Sequence, residues 1–135
     1  MTAKEYLRSI HELDRSIQDK QRKLDWLERN CDKVRSSYYG GVRLQVNSWH
    51  PIDDIIVKLG CEIKADTDRL IGLEAEARMR ISKVYHQCFI DLLTDVYIHG
   101  LTLERVAEKY DKSYATICRW HGQALRIFRY ENEMS

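Results

Sequence analysis

Apolar residues recur at alternating steps of three and four along the first quarter of the chain, which is the spacing of a coiled-coil helix. Lys20 is the single polar residue in the series, and Thr2 and Glu5 have the spacing of a capping box at its start. The apolar positions are Tyr6, Ile10, Leu13, Ile17, Leu24, Leu27, Cys31 and Val34. The pattern predicts a long helix with one apolar seam.

A second series of the same kind follows, with Asp66 as its single polar interruption. Its apolar positions are Ile52, Ile56, Leu59, Ile63, Leu70, Leu73, Ala77, Ile81 and Val84. If the chain folds back on itself, Lys20 lies opposite Asp66, and Tyr6 lies opposite Ile81. A polar pair of this kind fixes the register of two helices. The pattern therefore favours an antiparallel hairpin within one chain over helices that pair only between chains.

Residues 36–51 interrupt the helical pattern. Gly40-Gly41 favours a turn or a flexible link, and Pro51 suits the first turn of the next helix. Val42, Leu44 and Val46 alternate as the residues of a short strand would. Because one isolated strand is unstable, we expect either a structured loop or a segment that pairs in an oligomer.

Three shorter helices are expected after residue 85. The apolar pattern of residues 86–99 predicts a helix that supports the DNA-binding domain and ends at Gly100. Thr102 and Ser113 are suitable N-caps for two further helices, because each precedes an apolar series of helical spacing. These series are Leu103, Val106, Ala107 and Tyr110, and then Ile117, Trp120, Ala124 and Phe128. This spacing is typical of a DNA-binding helix-turn-helix.

The polar face of the last helix indicates what it contacts. Opposite Ile117 lie Ala115, Arg119, Gly122 and Arg126, so that two small residues alternate with two arginines. A helix of this kind can approach DNA closely while its guanidinium groups reach bases or phosphates. The sequence contains no acidic residue from Lys112 to Tyr130. The pattern favours DNA contact over the alternative, an ordinary helical hairpin with a solvated cationic face.

Composition narrows the range of functions. A formal net charge of +1 over 135 residues means that any DNA binding must come from local charge. There is no apolar run of membrane-spanning length and no secretory signal, so we expect a cytoplasmic protein. The four cysteines are far apart, and the sequence lacks a phosphate loop or catalytic spacing, so we expect no metal, no cofactor and no enzymatic activity.

The segment TLERVAEKYDKSYATICRWHGQALRIF resembles region 4 of the sigma-70 family of bacterial transcription initiation factors, whose helix-turn-helix reads promoter elements. It is more similar still to small phage and prophage proteins of the same type, whose opening is similar to MTAKEYLRSIHELDRSI. That group resembles phage late-gene transcription activators of the RinA and ArpU kind. The resemblance implies a DNA-binding domain behind a helical N-terminal half.

Carried over by position, the resemblance implies base reading by Tyr114, Ala115, Cys118 and Arg119. Phosphate contacts are expected near Lys112, Arg126 and Arg129. The complete expected DNA-contact set is Thr102, Lys112, Ser113, Tyr114, Ala115, Thr116, Cys118, Arg119, Gly122, Arg126 and Arg129. Positions that are often basic in such proteins are Ala115 and Gln123 here, which leaves Arg119 as the only charged candidate for base readout.

These observations predict an all-α protein with a coiled-coil hairpin in residues 1–84 and a sigma-70 region 4-like helix-turn-helix in residues 85–135. The expected function is that of a phage or prophage transcription regulator in the host bacterial cytoplasm. The protein would bind double-stranded DNA and form a homo-oligomer (a dimer) through the hairpin. Host RNA polymerase is a further candidate partner. The alternative is a coiled-coil interaction module whose helix-turn-helix is only a scaffold.

Overall fold

The computed structural model describes residues 2–38 and 51–134, and every regular element in these ranges is helical. The predicted all-α fold class is thus confirmed. The five α-helices are α1 Ala3–Tyr38, α2 Pro51–Ser82, α3 Gln87–Leu93, α4 Leu103–Lys109 and α5 Tyr114–Glu131. A π-helical turn, Thr94–Ile98, continues α3. Within the described ranges, no helix combines the length and the apolar character that crossing a bilayer requires.

The two long helices begin where the sequence indicates. The Thr2 amide donates to Glu5 Oε2 at 3.0 Å and the Glu5 amide donates to Thr2 Oγ1 at 3.2 Å, which confirms the capping box. Pro51 begins α2, as predicted. However, α1 continues to Tyr38, so residues 36–38 are helical although the loop was expected to start at residue 36. The expected strand-like alternation at residues 42–46 lies outside the described residues.

The chain forms two compact units. The first contains Met1–Leu13 and Leu70–Ser135, and the second contains Asp14–Arg69. The boundary predicted between residues 84 and 85 falls inside the first unit. The beginning of α1 and the end of α2 therefore share a compact unit with α3, α4 and α5.

The main core of the first unit is a cluster of buried side chains that we call the basal core. Phe128 of α5 and Leu7 of α1 have no exposed surface. The basal core consists of Ala3, Tyr6, Leu7, Ile10, Ala77, Ile81, Val84, Leu93, Tyr97, Ala124 and Phe128. Tyr6 and Ile81, which the predicted register places opposite each other, both belong to it. Full burial of a side chain such as Phe128 contributes about 1.5–3 kcal/mol to stability.

Polar groups tie three helices together beside the basal core. The Tyr6 hydroxyl donates to Glu76 Oε1 at 3.0 Å, and Arg80 Nη2 lies 2.9 Å from the same oxygen. The Arg80 guanidinium also lies 4.8 Å from the centre of the Tyr6 ring. Asn132, the C-cap of α5, donates to the Arg80 carbonyl oxygen at 3.1 Å. The C-terminal end of α5 is thereby joined to α2.

The second unit contains the predicted polar pair. Lys20 Nζ donates to Asp66 Oδ2 at 2.6 Å, so the expected meeting of the two polar seam residues is confirmed. Arg69 and Lys20 both lie near Asp66, and Lys20 is 3.7 Å from Glu62 as well. The hydrogen bond to Asp66 is the main cause that raises the pKa of Lys20. The pair is only partly buried, because the Lys20 side chain remains 31% exposed.

Lys20→Leu is expected to lower the melting temperature, because Asp66 would lose its nearest cation and keep, among the described residues, the more distant Arg69 as its cationic partner. Lys20→Leu combined with Asp66→Leu should recover part of this loss, since both polar groups then leave the seam together. A double-mutant cycle by thermal denaturation measures the coupling. Strictly additive effects of the two substitutions would contradict the contact.

Candidate nucleic-acid interface

Helices α3, α4 and α5 share a small core of their own, which we call the turn core. Its buried members are Leu92, Val106, Ala107 and Ile117. Leu101, Leu103, Tyr110 and Trp120 pack against them in half-buried positions. Gly100 has a φ of 72°, a backbone conformation that suits glycine, and separates α3 and its π-helical turn from α4. The expected apolar faces of the three helices thus meet.

Both predicted N-caps are confirmed. Thr102 Oγ1 accepts the Arg105 amide at 3.2 Å, and Ser113 Oγ accepts the Thr116 amide at 3.1 Å. The turn between α4 and α5 closes with a hydrogen bond from the Lys112 amide to the Ala107 carbonyl oxygen at 3.0 Å. Asp111, inside this turn, has a positive φ of 55°. The caps hold the start of α5 in a defined place relative to α4.

A buried carboxylate fastens α4 to the π-helical turn. Asp95 is only 5% exposed, and Lys109 Nζ lies 3.0 Å and 3.1 Å from its two oxygens. The Tyr110 hydroxyl donates to the same group. Hydrogen bonding to Asp95 raises the pKa of Lys109, and burial followed by the same hydrogen bonding raises the pKa of Tyr110. The periodic pattern of the sequence does not predict this contact, because Asp95 lies on a different helix from Lys109 and Tyr110.

The polar face of α5 is exposed along its length. Ala115, Arg119, Gly122 and Arg126 are all exposed, while Ile117 on the opposite side has no exposed surface. Arg129 continues the exposed face toward the C-terminal end, and Lys112 precedes it in the turn. This arrangement leaves two arginines and two small residues free of core packing. A cationic helix face that also carries small side chains is suited to entering a groove of an anionic polymer.

The remaining predicted contact residues have local partners. Thr102 and Ser113 are exposed caps, and Ser113 Oγ lies 2.8 Å from Thr116 Oγ1. Cys118 and Thr116 are half-buried, and Tyr114 is 51% exposed. The interaction with Cys118 is the largest cause that raises the pKa of the Tyr114 hydroxyl. The structure therefore places the whole predicted set on α5, its leading turn and the cap of α4, with Thr116 and Cys118 the least accessible.

Two cations of α1 that the sequence reasoning missed act on α5. Burial is the main cause that lowers the pKa of His121, and the charges of Lys4 and Arg8 lower it further. His121 Nε2 lies 2.7 Å from the Tyr97 hydroxyl, whose pKa burial raises to about 12. Positive charge from the start of α1 is thus added to that of α5, which no local sequence pattern could reveal.

Within the described residues, no group of three or more histidine, cysteine or carboxylate side chains is arranged to hold a metal ion. Comparisons of the chain with protein-family models, curated proteins and solved structures find no match.

The lowered pKa of His121 predicts a dependence of stability on pH. The unfolded chain takes up a proton on this residue near pH 6.5, whereas the folded protein resists protonation. The contribution of His121 is therefore complete above pH 6.5 and is lost as the pH falls below it. The melting temperature of His121→Gln should decline less than that of the wild type between about pH 6.5 and pH 5.

His99→Gln is the control for the substitution itself, because it makes the same change at an exposed histidine of the same unit. Equal slopes for the wild type and His121→Gln would mean that the folded environment of His121 does not oppose its protonation.

Proposed function

We propose that this protein is a sequence-specific transcription regulator that binds double-stranded DNA through a sigma-70 region 4-like helix-turn-helix. In this proposal α5 is the recognition helix and α4 is the helix before it. The observation that carries the proposal is the exposed face of α5, on which Arg119 and Arg126 alternate with Ala115 and Gly122. The resemblance to phage and prophage regulators suggests action in the cytoplasm of a host bacterium.

The dimensions of α5 suit the proposed role. Its 18 residues span about 27 Å, and the major groove is wide enough to admit one helix. Ala115 and Gly122 add little bulk, so the helix axis can approach the base edges. Arg119 lies in the second turn, where an extended guanidinium can reach a guanine. Arg126 lies about 10 Å further along the helix and is better placed for phosphate.

The electrostatic pattern supports an anionic partner such as DNA. The net charge of the chain is only +1, yet the stretch from Lys112 to Tyr130 contains four cations and no acid. This local excess of positive charge lies on the face that the turn core and the basal core leave exposed. Phosphate contacts of this kind give a binding constant that falls steeply with salt.

We also propose that α1 and α2 form an antiparallel coiled-coil hairpin through which two copies associate. The contact between Lys20 and Asp66 supports the register. In the described part of the second unit, Ile52 and Leu59 are the only apolar side chains that are buried, whereas Leu24, Leu27 and Ile63 stay half-buried. A dimer would cover such a seam, and two recognition helices would compensate for the single charged base-reading residue on each.

A second candidate function belongs to a different class. Trp26 is 51% exposed, Ile55 47% and Val57 65%, so the second unit presents large apolar side chains to solvent. Exposed apolar surface of this kind favours protein partners. In this alternative the long helices bind a protein, and the C-terminal helices serve only as a scaffold. Contact with host RNA polymerase is a further proposal that the sigma-like resemblance suggests.

Two arginine variants are expected to fail in different ways. Arg119→Ala should cost about 1–3 kcal/mol on the preferred duplex and relax the preference at one base pair, because a bidentate contact to a base is lost. Arg126→Ala should weaken all duplexes alike and reduce the salt slope by about one, because a phosphate contact is lost. Selection from random duplexes followed by titration at several salt concentrations measures both effects.

Light scattering in the same buffers supplies the oligomeric state. If the wild type shows no salt-dependent binding to any duplex, the regulator proposal is abandoned in favour of the interaction module. If both arginine variants lose affinity equally and keep the same sequence preference, the assignment of base reading to Arg119 is wrong.

A further inference from the structure

A cleft of about 490 Å³ lies between the start of α1 and the exposed face of α5. Its walls come from the two ends of the chain, which the basal core brings together. The lining residues are Thr2, Ala3, Lys4, Gly122, Leu125, Arg126 and Arg129. Gly122 and Arg126 belong to the proposed DNA-reading face, so the cleft opens directly beside it. The cleft therefore continues that face beyond α5.

The charge in the cleft is of one sign. Lys4, Arg126 and Arg129 line it, and none of the described lining residues is acidic. In the described part of the chain these three cations form no ion pair with a carboxylate. The nearby Glu5 does not line the cleft, and its carboxylate accepts the Thr2 amide in the capping box. Among the residues that the structure describes, three cations from two helices thus converge without a counterion.

Three converging cations attract an anion. The position of the cleft beside the proposed DNA-reading face indicates which anion this is. Clustered cations without internal partners repel one another and lose solvation when they are held together. A phosphate oxygen would relieve this repulsion through charge-assisted hydrogen bonds, to which arginine is well suited. A duplex whose groove holds α5 brings a row of such phosphates alongside the helix.

We propose that Lys4, acting with Arg126 and Arg129, binds a phosphodiester of the DNA backbone, so that the start of α1 is part of the DNA interface. Arg8, one turn further along α1, is exposed and adds positive charge to the same end of that helix. The inference rests on the proposed function and deepens it, because it assigns a second, sequence-independent contact surface. The phosphate contact of Lys4 would also compensate for the basic side chains that the recognition helix lacks at Ala115 and Gln123.

The test is the salt dependence of duplex binding by the full chain. Lys4→Ala should weaken binding to the selected duplex and to an unrelated duplex by the same several-fold factor. It should also reduce the slope of log K against log salt concentration by about 0.9, the value for one lost phosphate contact. Lys4→Arg should retain the affinity and the slope, because it keeps the cation at that position.

Lys23→Ala is the matched control, because it removes the same charge from an exposed position of the second unit. It should leave the slope of the wild type unchanged. Circular dichroism and melting temperature establish that Lys4→Ala is folded. If its melting temperature falls, Lys4→Gln, which removes the charge but keeps more of the side chain than alanine does, takes its place in the comparison.

The outcomes separate this inference from the proposed function. If the wild type binds DNA and Arg119→Ala alters its preference, but Lys4→Ala and Lys23→Ala give the same slope, the cleft does not hold a phosphate. If the wild type binds no duplex, the proposed function and this inference both fall. A reduced slope for Lys4→Ala alone, on both duplexes, supports the inference.

Discussion

Burial of one face of α5 is the constraint on which the rest of the structure depends. Ile117 fills the turn core with α3 and α4, while Ala124 and Phe128 fill the basal core with α1 and α2. None of these three side chains has any exposed surface. Because side chains on a helix have fixed angular positions, burying this face requires Arg119 and Arg126 to point outward. Core packing therefore determines which surface α5 can present to a ligand.

Two polar anchors complement this packing. Asp95 holds the end of α4 through Lys109 and Tyr110, and Asn132 ties the end of α5 to the Arg80 carbonyl oxygen. A buried carboxylate that lost its partners would be strongly unfavourable, so Asp95 restricts where α4 can lie. Asn132 thus fixes the C-terminal end of the proposed recognition helix, and Asp95 fixes the helix that precedes it; neither group takes part in the proposed DNA contacts.

Local features of the structure could be predicted from the sequence, because they depend on neighbouring residues. The caps at Thr102 and Ser113 and the helix start at Pro51 are of this kind. The contact of Lys20 with Asp66 was also predictable, since each is the only polar residue in its apolar series. The exposed set on α5 followed from the angular spacing of Ile117, Ala124 and Phe128.

Contacts between distant parts of the sequence could not be predicted in the same way. Nothing in the spacing of Ala3 or Leu7 shows that these residues pack in one cluster with Phe128. For the same reason the proximity of Lys4 to Arg126 and Arg129 was missed. No local pattern distinguishes Asp95 from the other acidic residues, because its partners lie 14 and 15 positions away. Such pairings depend on the tertiary arrangement of helices and leave no periodic signal.

The most direct measurement of the central claim is duplex binding by Ala115→Glu. Ala115 is exposed in the first turn of α5, where a carboxylate is compatible with the helix and would face the phosphates. We expect this variant to keep its helical circular dichroism and melting temperature and to lose DNA binding. Ala65→Glu, at an exposed alanine of α2, should bind as the wild type does. Binding by Ala115→Glu equal to that of the wild type would contradict the assignment of α5 as the recognition helix.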